Sequence, residues 1–152
     1  MVFLDSNIFI LDRFFPRDAL YSQNSDFLGE LGSVEAAVSV LTLLEICGAA
    51  SYRLPPRELD SWLFRFTTVY PVSVLDAHGL AGQEAETWWN RFVEETAGHI
   101  AKKMTFGDAL LLREAENYQA EAIVTWNTKD FRRRTRMPIY TPADFLQRHG
   151  PR

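Results

Sequence analysis

Short apolar runs alternate along this chain with longer segments of helical spacing. Val2–Leu4 is apolar without a break, the pattern of a strand buried on both faces of a parallel sheet. Asp5-Ser6-Asn7 follows, with side chains that bond nearby backbone and end a strand. The stretch from Ile8 to Phe15 has helical spacing up to Pro16, and a second helix is expected from Ala19 to Leu31, closing at Gly32. Ala36 to Val40 reads as the next strand, and Leu41 to Ala50 as a helix with Thr42 near its start. After the break at Leu54-Pro-Pro-Arg57, a helix is expected from Arg57 to Phe66. A third strand should run from Thr68 to Leu75, irregular or at an edge because of Pro71. Asp76 is expected to cap a helix reaching about Ala97, and Gly98–Phe106 to connect it to the next. Gly107-Asp108 opens a helix ending near Gln119, and Ala122 to Thr125 forms a fourth strand. A loop to Asp130, a basic turn to Arg136, a last strand from Ile139 to Thr141 and a helix opened by Pro142 complete the chain. This order predicts an α/β fold, a mostly parallel central sheet of four to five strands with helices on both faces.

Bulk properties narrow the class. At 152 residues the chain is expected to form one domain, 1–152, with a sizeable core. Its net charge of −4 argues against a general nucleic-acid coating protein, so any contact with nucleic acid must rest on local patches or on metal ions. The single cysteine, Cys47, excludes an intramolecular disulfide and reads as a small core residue. No apolar run approaches membrane length and no leader pattern precedes Asp5, so a cytoplasmic location is expected.

Candidate chemistry lies in four acids, Asp5, Glu45, Asp108 and Asp130. Asp5 follows the first strand, Glu45 lies one turn into the helix after the second, and Asp130 lies in the loop after the fourth, where parallel α/β sheets form ligand sites. Asp108 opens a helix that leads into a strand, so the strand-end rule does not place it. Each acid also has a plain structural role. Asp5 suits an Asx turn, and Glu45 completes a capping box with Thr42. Asp108 suits a first helical turn, and Asp130 could cap the short helix after it.

Taken together the segments Phe3-Leu-Asp-Ser-Asn-Ile8, Ser39-Val-Leu-Thr-Leu-Leu-Glu-Ile46, Gly107-Asp-Ala-Leu-Leu111 and Ile123-Val-Thr-Trp-Asn-Thr-Lys-Asp-Phe131 resemble the PIN domain. Within it, the resemblance is to the VapC-type toxin ribonucleases of toxin–antitoxin pairs. It extends over essentially the whole chain, with Ile139 to Leu146 as the closing strand and helix. It implies that Asp5, Glu45, Asp108 and Asp130 bind Mg²⁺ or Mn²⁺, and that Asn7 and Thr125 orient the pocket. Asp5, Asp108 and Asp130 are expected to lead that set, with Glu45 acting through water or a neighbour. It implies a metal-dependent endoribonuclease leaving 5′-phosphate and 3′-hydroxyl ends, an antitoxin partner and a homodimer. Hard divalent ions prefer carboxylate oxygens, activate water and offset charge on phosphoryl oxygens, which suits such a cluster.

Arg132, Arg133, Arg134 and Arg136, directly after Asp130, are candidates to hold RNA phosphates, with Lys102 and Lys103 a weaker version of the same idea. Trp126 is placed either to stack a base or to pack under the sheet edge. Trp62, Phe64, Trp88, Trp89 and Phe92 serve either the core or a partner face, such as a groove for an antitoxin segment. His78, His99 and His149 are expected at the surface or in loops. A catalytically inactive PIN-like module that binds RNA or protein is the alternative reading, and a phosphatase on another α/β fold a weaker third.

Overall fold

In a computed structural model, which describes residues 1–149, five parallel strands form one sheet with the first strand, Val2–Leu4, at its centre. The last three residues of the expected 1–152 domain lie outside the described residues. The elements run β1 (Val2–Leu4), α1 (Ser6–Phe14), α2 (Tyr21–Gly29), a 3₁₀ turn (Leu31–Ser33), β2 (Ala36–Ser39), α3 (Val40–Ser51) and α4 (Pro56–Val69). There follow β3 (Ser73–Leu75), α5 (Ala85–Ile100), α6 (Phe106–Asn117), β4 (Ala122–Val124), a second 3₁₀ turn (Thr128–Asp130), β5 (Ile139–Tyr140) and α7 (Pro142–His149).

The period of two along each strand divides the core. Val2, Leu4, Ala36, Val38, Ala122 and Val124 face one side, where Ile8 and Phe9 of α1, Phe27 of α2, Ile46 of α3, Phe66 of α4 and Phe145 of α7 pack. Phe3, Ala37 and Ile123, which lie opposite one another in the register, face the other side, against Leu111, Leu112 and Ala115 of α6 and the wholly buried Phe131. Phe9 sits edge-on to Phe66 at 5.0 Å and to Tyr70 at 4.9 Å, so α1 and α4 share one aromatic contact. With both faces covered, strands of two to four residues suffice, and their unbroken apolar character follows.

Three expectations need correction. Helix α4 runs to Val69, past the expected end at Phe66, and β3 is correspondingly only three residues long. Tyr70, placed before Pro71, is driven to extended geometry and ends the helix there. Asp76 does not cap a helix. Residues 76–84 turn instead, with Gly79 and Gly82 at φ +77° and +88°, outside helical space, and α5 begins at Ala85. The Trp88 indole donates to the His78 carbonyl at 2.9 Å and anchors that turn. Finally, His99 is buried, with its Nε2 3.5 Å from Glu116. Its partner helix holds a wholly buried pair, Arg113 and Glu114, which are hydrogen-bonded to each other. Arg113 lies over the Phe92 ring at 4.7 Å, and Glu114 accepts the His78 backbone N–H at 2.7 Å.

Candidate active site

The chain reverses its direction of travel across the sheet between β1 and β4: β2 and β3 lie on one side of β1, and β4 and β5 on the other. Ligands of parallel α/β sheets bind at such a switch point, beyond the carboxyl ends of the strands. Asp5 and Thr125 are the residues that leave β1 and β4 there, and the Asp5 N–H still donates to the Val124 carbonyl at 3.1 Å.

Asp5 occupies the N-cap position of α1, yet its carboxylate forms no capping hydrogen bond. It is turned into the site instead. Oδ2 accepts from Thr125 Oγ1 at 2.6 Å and from Asn7 Nδ2 at 2.7 Å, while Oδ1 accepts from Ser6 Oγ at 3.2 Å. Every partner is neutral, and the residue is only 8% exposed. Burial pushes the Asp5 carboxyl above the usual carboxylate range. The Thr125 hydroxyl pulls it down, and the Asp108 charge pushes it up further.

The capping-box reading of Glu45 does not hold. The N-cap of α3 is Ser39, whose Oγ accepts the Thr42 N–H at 3.1 Å, so Glu45 falls one turn too late to close a box. Its carboxylate instead lies across Gly107 at the start of α6, where a Cβ would stand 2.6 Å from Oε1. Although the residue as a whole is solvent-accessible, its carboxyl group is crowded. Desolvation raises its pKa, Ser6 opposes this, and the Asp5 and Asp108 charges add to it. Asp108 does have the plain role expected of a first-turn acid: its N–H donates to Thr105 Oγ1 at 3.3 Å, and its Oδ2 accepts from that hydroxyl at 2.6 Å. That bond leaves the other carboxylate oxygen free of a hydrogen-bond partner within the described residues.

Asp5, Glu45 and Asp108 therefore share one electrostatic field, and among the described residues no Lys, Arg or His pairs with any of them. Asp130 joins at one remove. Its carboxylate accepts from the Asn127 side chain, and Arg134 reaches its carbonyl and lies 4.0 Å from its Oδ1. Asn127 in turn donates its backbone N–H to Thr125 Oγ1 at 2.9 Å, which closes the chain back to Asp5. Asn7 donates to both Asp5 and Thr125, and its Oδ1 accepts the Trp126 N–H at 3.3 Å, pinning α1 to the loop after β4. Trp126 takes the packing role: its indole donates to the wholly buried Asn24 at 2.8 Å.

Ser6, Thr105 and Asn127 are the site residues that sequence reasoning missed; Thr105 stands three residues before Asp108, the spacing of an N-cap and its first-turn acid. Ser6 lies inside the Asp5-Ser6-Asn7 motif and Asn127 inside Thr125-x-Asn127, so motif position was the available signal for both.

Among the described residues no three His, Cys, Asp or Glu side chains converge closely enough to hold an ion as they stand. The donor set is nevertheless that of a hard cation, carboxylate and neutral oxygen without thiolate or imidazole. Beside Glu45, an apolar groove of about 420 Å³ is lined by Leu41, Leu44, Phe106 and Leu110. Leu44 and Phe106 at its rim are 55% and 63% exposed. The aromatic set divides: Trp62 and Phe92 are buried, Phe64 is 82% exposed and Trp89 is also exposed. No helix is long and apolar enough to cross a membrane among the described residues.

No protein-family model and no curated protein sequence matches the chain. Solved structures do. A toxin–antitoxin complex from Klebsiella pneumoniae superposes with a TM-score of 0.60 at 17% identity, covering 93% of this chain and 98% of that one. VapBC2 from Rickettsia felis, bound to a DNA fragment from its promoter, gives 0.60 at 20% identity over 91% and 97% of the two chains. VapC20 of Mycobacterium tuberculosis, a toxin that cleaves the sarcin–ricin loop, gives 0.52 at 16% identity over 81% and 87%. Over most of its length the chain thus shares the fold of chains in these toxin–antitoxin structures.

Proposed function

We propose that the protein is a metal-dependent endoribonuclease and the toxin of a toxin–antitoxin pair. The observation that carries this reading is the buried Asp5 carboxyl. It feels the charges of Glu45 and Asp108, hydrogen-bonds only to neutral groups and has no cation to offset it among the described residues. Such a cluster either holds protons or awaits a positive ion. Asp5, Glu45 and Asp108 are the residues that would hold Mg²⁺ or Mn²⁺, with Asp130 entering through Asn127. When bound, the ion would supply an activated water and charge stabilisation at the phosphoryl oxygens.

The chain's own residues have separable parts. Thr125 and Asn7 aim the Asp5 carboxylate by donating to the same oxygen. Ser6 stands between Asp5 and Glu45, donating to the former and lowering the pKa of the latter. Thr105 fixes Asp108 by a reciprocal bond. The turn bearing Arg132, Arg133, Arg134 and Arg136 supplies positive charge for RNA phosphates beside a site that is itself negative. The apolar groove with Leu44 and Phe106 at its rim is the kind of surface that an amphipathic antitoxin segment, or a second copy of the chain, would cover. That VapBC2 and the Klebsiella protein are toxin–antitoxin assemblies supports the antitoxin partner.

The test is cleavage-site mapping on total RNA with Mg²⁺ or Mn²⁺, comparing the wild type with Asp5→Asn, together with calorimetric titration of Mn²⁺. Discrete cuts by the wild type alone, and metal binding lost in the variant, are expected. Equal cutting by both proteins refutes the role of Asp5. Absence of Mn²⁺ binding at millimolar concentration favours the inactive binding module, a reading helped by the open spacing of the acids.

A further inference from the structure

The basic turn does not spend all its charge on the acidic site. Arg134 bonds the Asp130 carbonyl and also borders a groove of about 690 Å³, which Arg133 and Arg136 line together with Lys102, Thr135, Met137 and Pro138. We propose that this groove binds the RNA backbone, holding phosphates a few nucleotides away from the bond cut at the acidic site. The inference rests on the ribonuclease reading and gives it a second point of attachment.

In a chain of net charge −4, Lys102, Arg133, Arg134 and Arg136 gather around one groove with a single carboxylate, Glu116, among the described residues. That carboxylate is already engaged: Oε1 accepts from Thr135 Oγ1 at 2.9 Å, and Oε2 lies 3.5 Å from His99 Nε2. Among the described residues Lys102, Arg133 and Arg136 form no ion pair. Unpaired like charges repel one another, and an anion in the groove relieves that repulsion.

Arg133 has φ +66°, a left-handed conformation that costs a residue with a Cβ about 1–2 kcal/mol. The turn is fixed in spite of this. Phe131 is wholly buried at its start, the Arg134 N–H donates to the Phe131 carbonyl at 3.1 Å, and Thr135 Oγ1 accepts the Met137 N–H at 3.1 Å. The guanidinium groups are therefore presented from a rigid mount, which lessens the entropy lost on binding.

Residues 131–138 lead from the loop bearing Asp130, beyond the carboxyl end of β4, back to the start of β5. The groove follows that return, and a three-residue strand spans about 10 Å. An extended RNA strand entering at the acids would run along it. Arg forks match phosphate oxygens and Lys adds a point charge, while Met137 and Pro138 offer an apolar floor for sugar or base. Contacts of this kind position the substrate and carry no base specificity.

The test uses Asp5→Asn as background, so that bound RNA stays whole, and reads fluorescence anisotropy of a labelled single-stranded RNA against salt. Replacing Lys102, Arg133 and Arg136 by Gln removes three phosphate contacts. The log–log salt slope should then become shallower by about 2, and affinity at 0.1 M salt should fall about 100-fold. The charge-keeping K102R/R133K/R136K variant should retain the parent slope. R136Q alone, away from the strained residue, should lower the slope by about 0.7. An unchanged slope in folded Gln variants overturns the proposal, as does preference for polyglutamate over RNA, which would mark an acidic protein partner. Because the readout is binding, it stands apart from catalysis. If the wild type fails to cut RNA while the Gln variants lose affinity, the groove survives and the nuclease reading falls.

Discussion

Gly107→Ala tests the assembly of the site without touching an acid. Gly107 lies in the first turn of α6 at a backbone angle that any residue adopts, so the substitution itself favours the helix by up to about 1 kcal/mol. The added methyl would stand 2.6 Å from Glu45 Oε1 and 3.3 Å from its Cδ, so the carboxylate must retreat by about 0.8 Å to reach ordinary contact near 3.4 Å. Glu45 is solvent-accessible and flexible, and a shifted rotamer costs about 0.5–1.5 kcal/mol. The two effects nearly cancel, and stability should change by less than about 1 kcal/mol. Catalysis should not escape so lightly, because a misplacement of this size costs about 100-fold where a group must meet reacting atoms. Urea unfolding and initial rates of RNA cleavage, measured beside Glu45→Gln, separate the two quantities. A variant that is as stable as the wild type and cuts at the wild-type rate refutes the role given to Glu45. A loss of several kcal/mol instead refutes the claim that Glu45 is free to move.

The raised pKa of Asp5 fixes a sign for pH dependence. The folded protein holds that proton more tightly than the unfolded chain, whose value is near 3.8, so metal-free stability should fall as pH rises above that value. Asp5→Asn should flatten the fall and be more stable than the wild type at neutral pH, as thermal melting in chelator across pH would show. Parallel profiles would contradict it. The amide fits, because its Oδ1 can keep the bonds from Thr125 and Asn7 while Ser6 turns to accept. Thr125→Val strips one acceptor from both Asn7 Nδ2 and the Asn127 N–H, and should cost about 1–3 kcal/mol in urea unfolding along with most cleavage activity. Trp126→Phe leaves the buried Asn24 Oδ1 without its donor and should cost about 1–3 kcal/mol while leaving RNA affinity unchanged, since the indole packs rather than stacks on a base.

Sequence alone determined the layout of the domain. Unbroken apolar triplets announce strands covered on both faces, and their alternation with helical spacing leaves a parallel α/β sheet as the simple solution. It also marked Asp5, Glu45, Asp108 and Asp130 through motif order, with Asn7 and Thr125 beside them. Local rules erred where a competing choice lay a few residues away. Ser39 outcompetes Thr42 as the cap of α3, and two left-handed glycines cancel the cap expected at Asp76. Which acids meet is a matter of tertiary packing. Glu45 comes within electrostatic range of Asp5 and Asp108 because α3 packs on α6 at a glycine, while Asp130 is bonded to Asn127 and Arg134. The same packing differentiates a run of arginines that looks uniform in the sequence: Arg133, Arg134 and Arg136 line one groove, and Arg134 alone of them also bonds the Asp130 carbonyl. Periodicity is a local property and can be read residue by residue, whereas the meeting of charges from four distant segments depends on how helices close over the sheet.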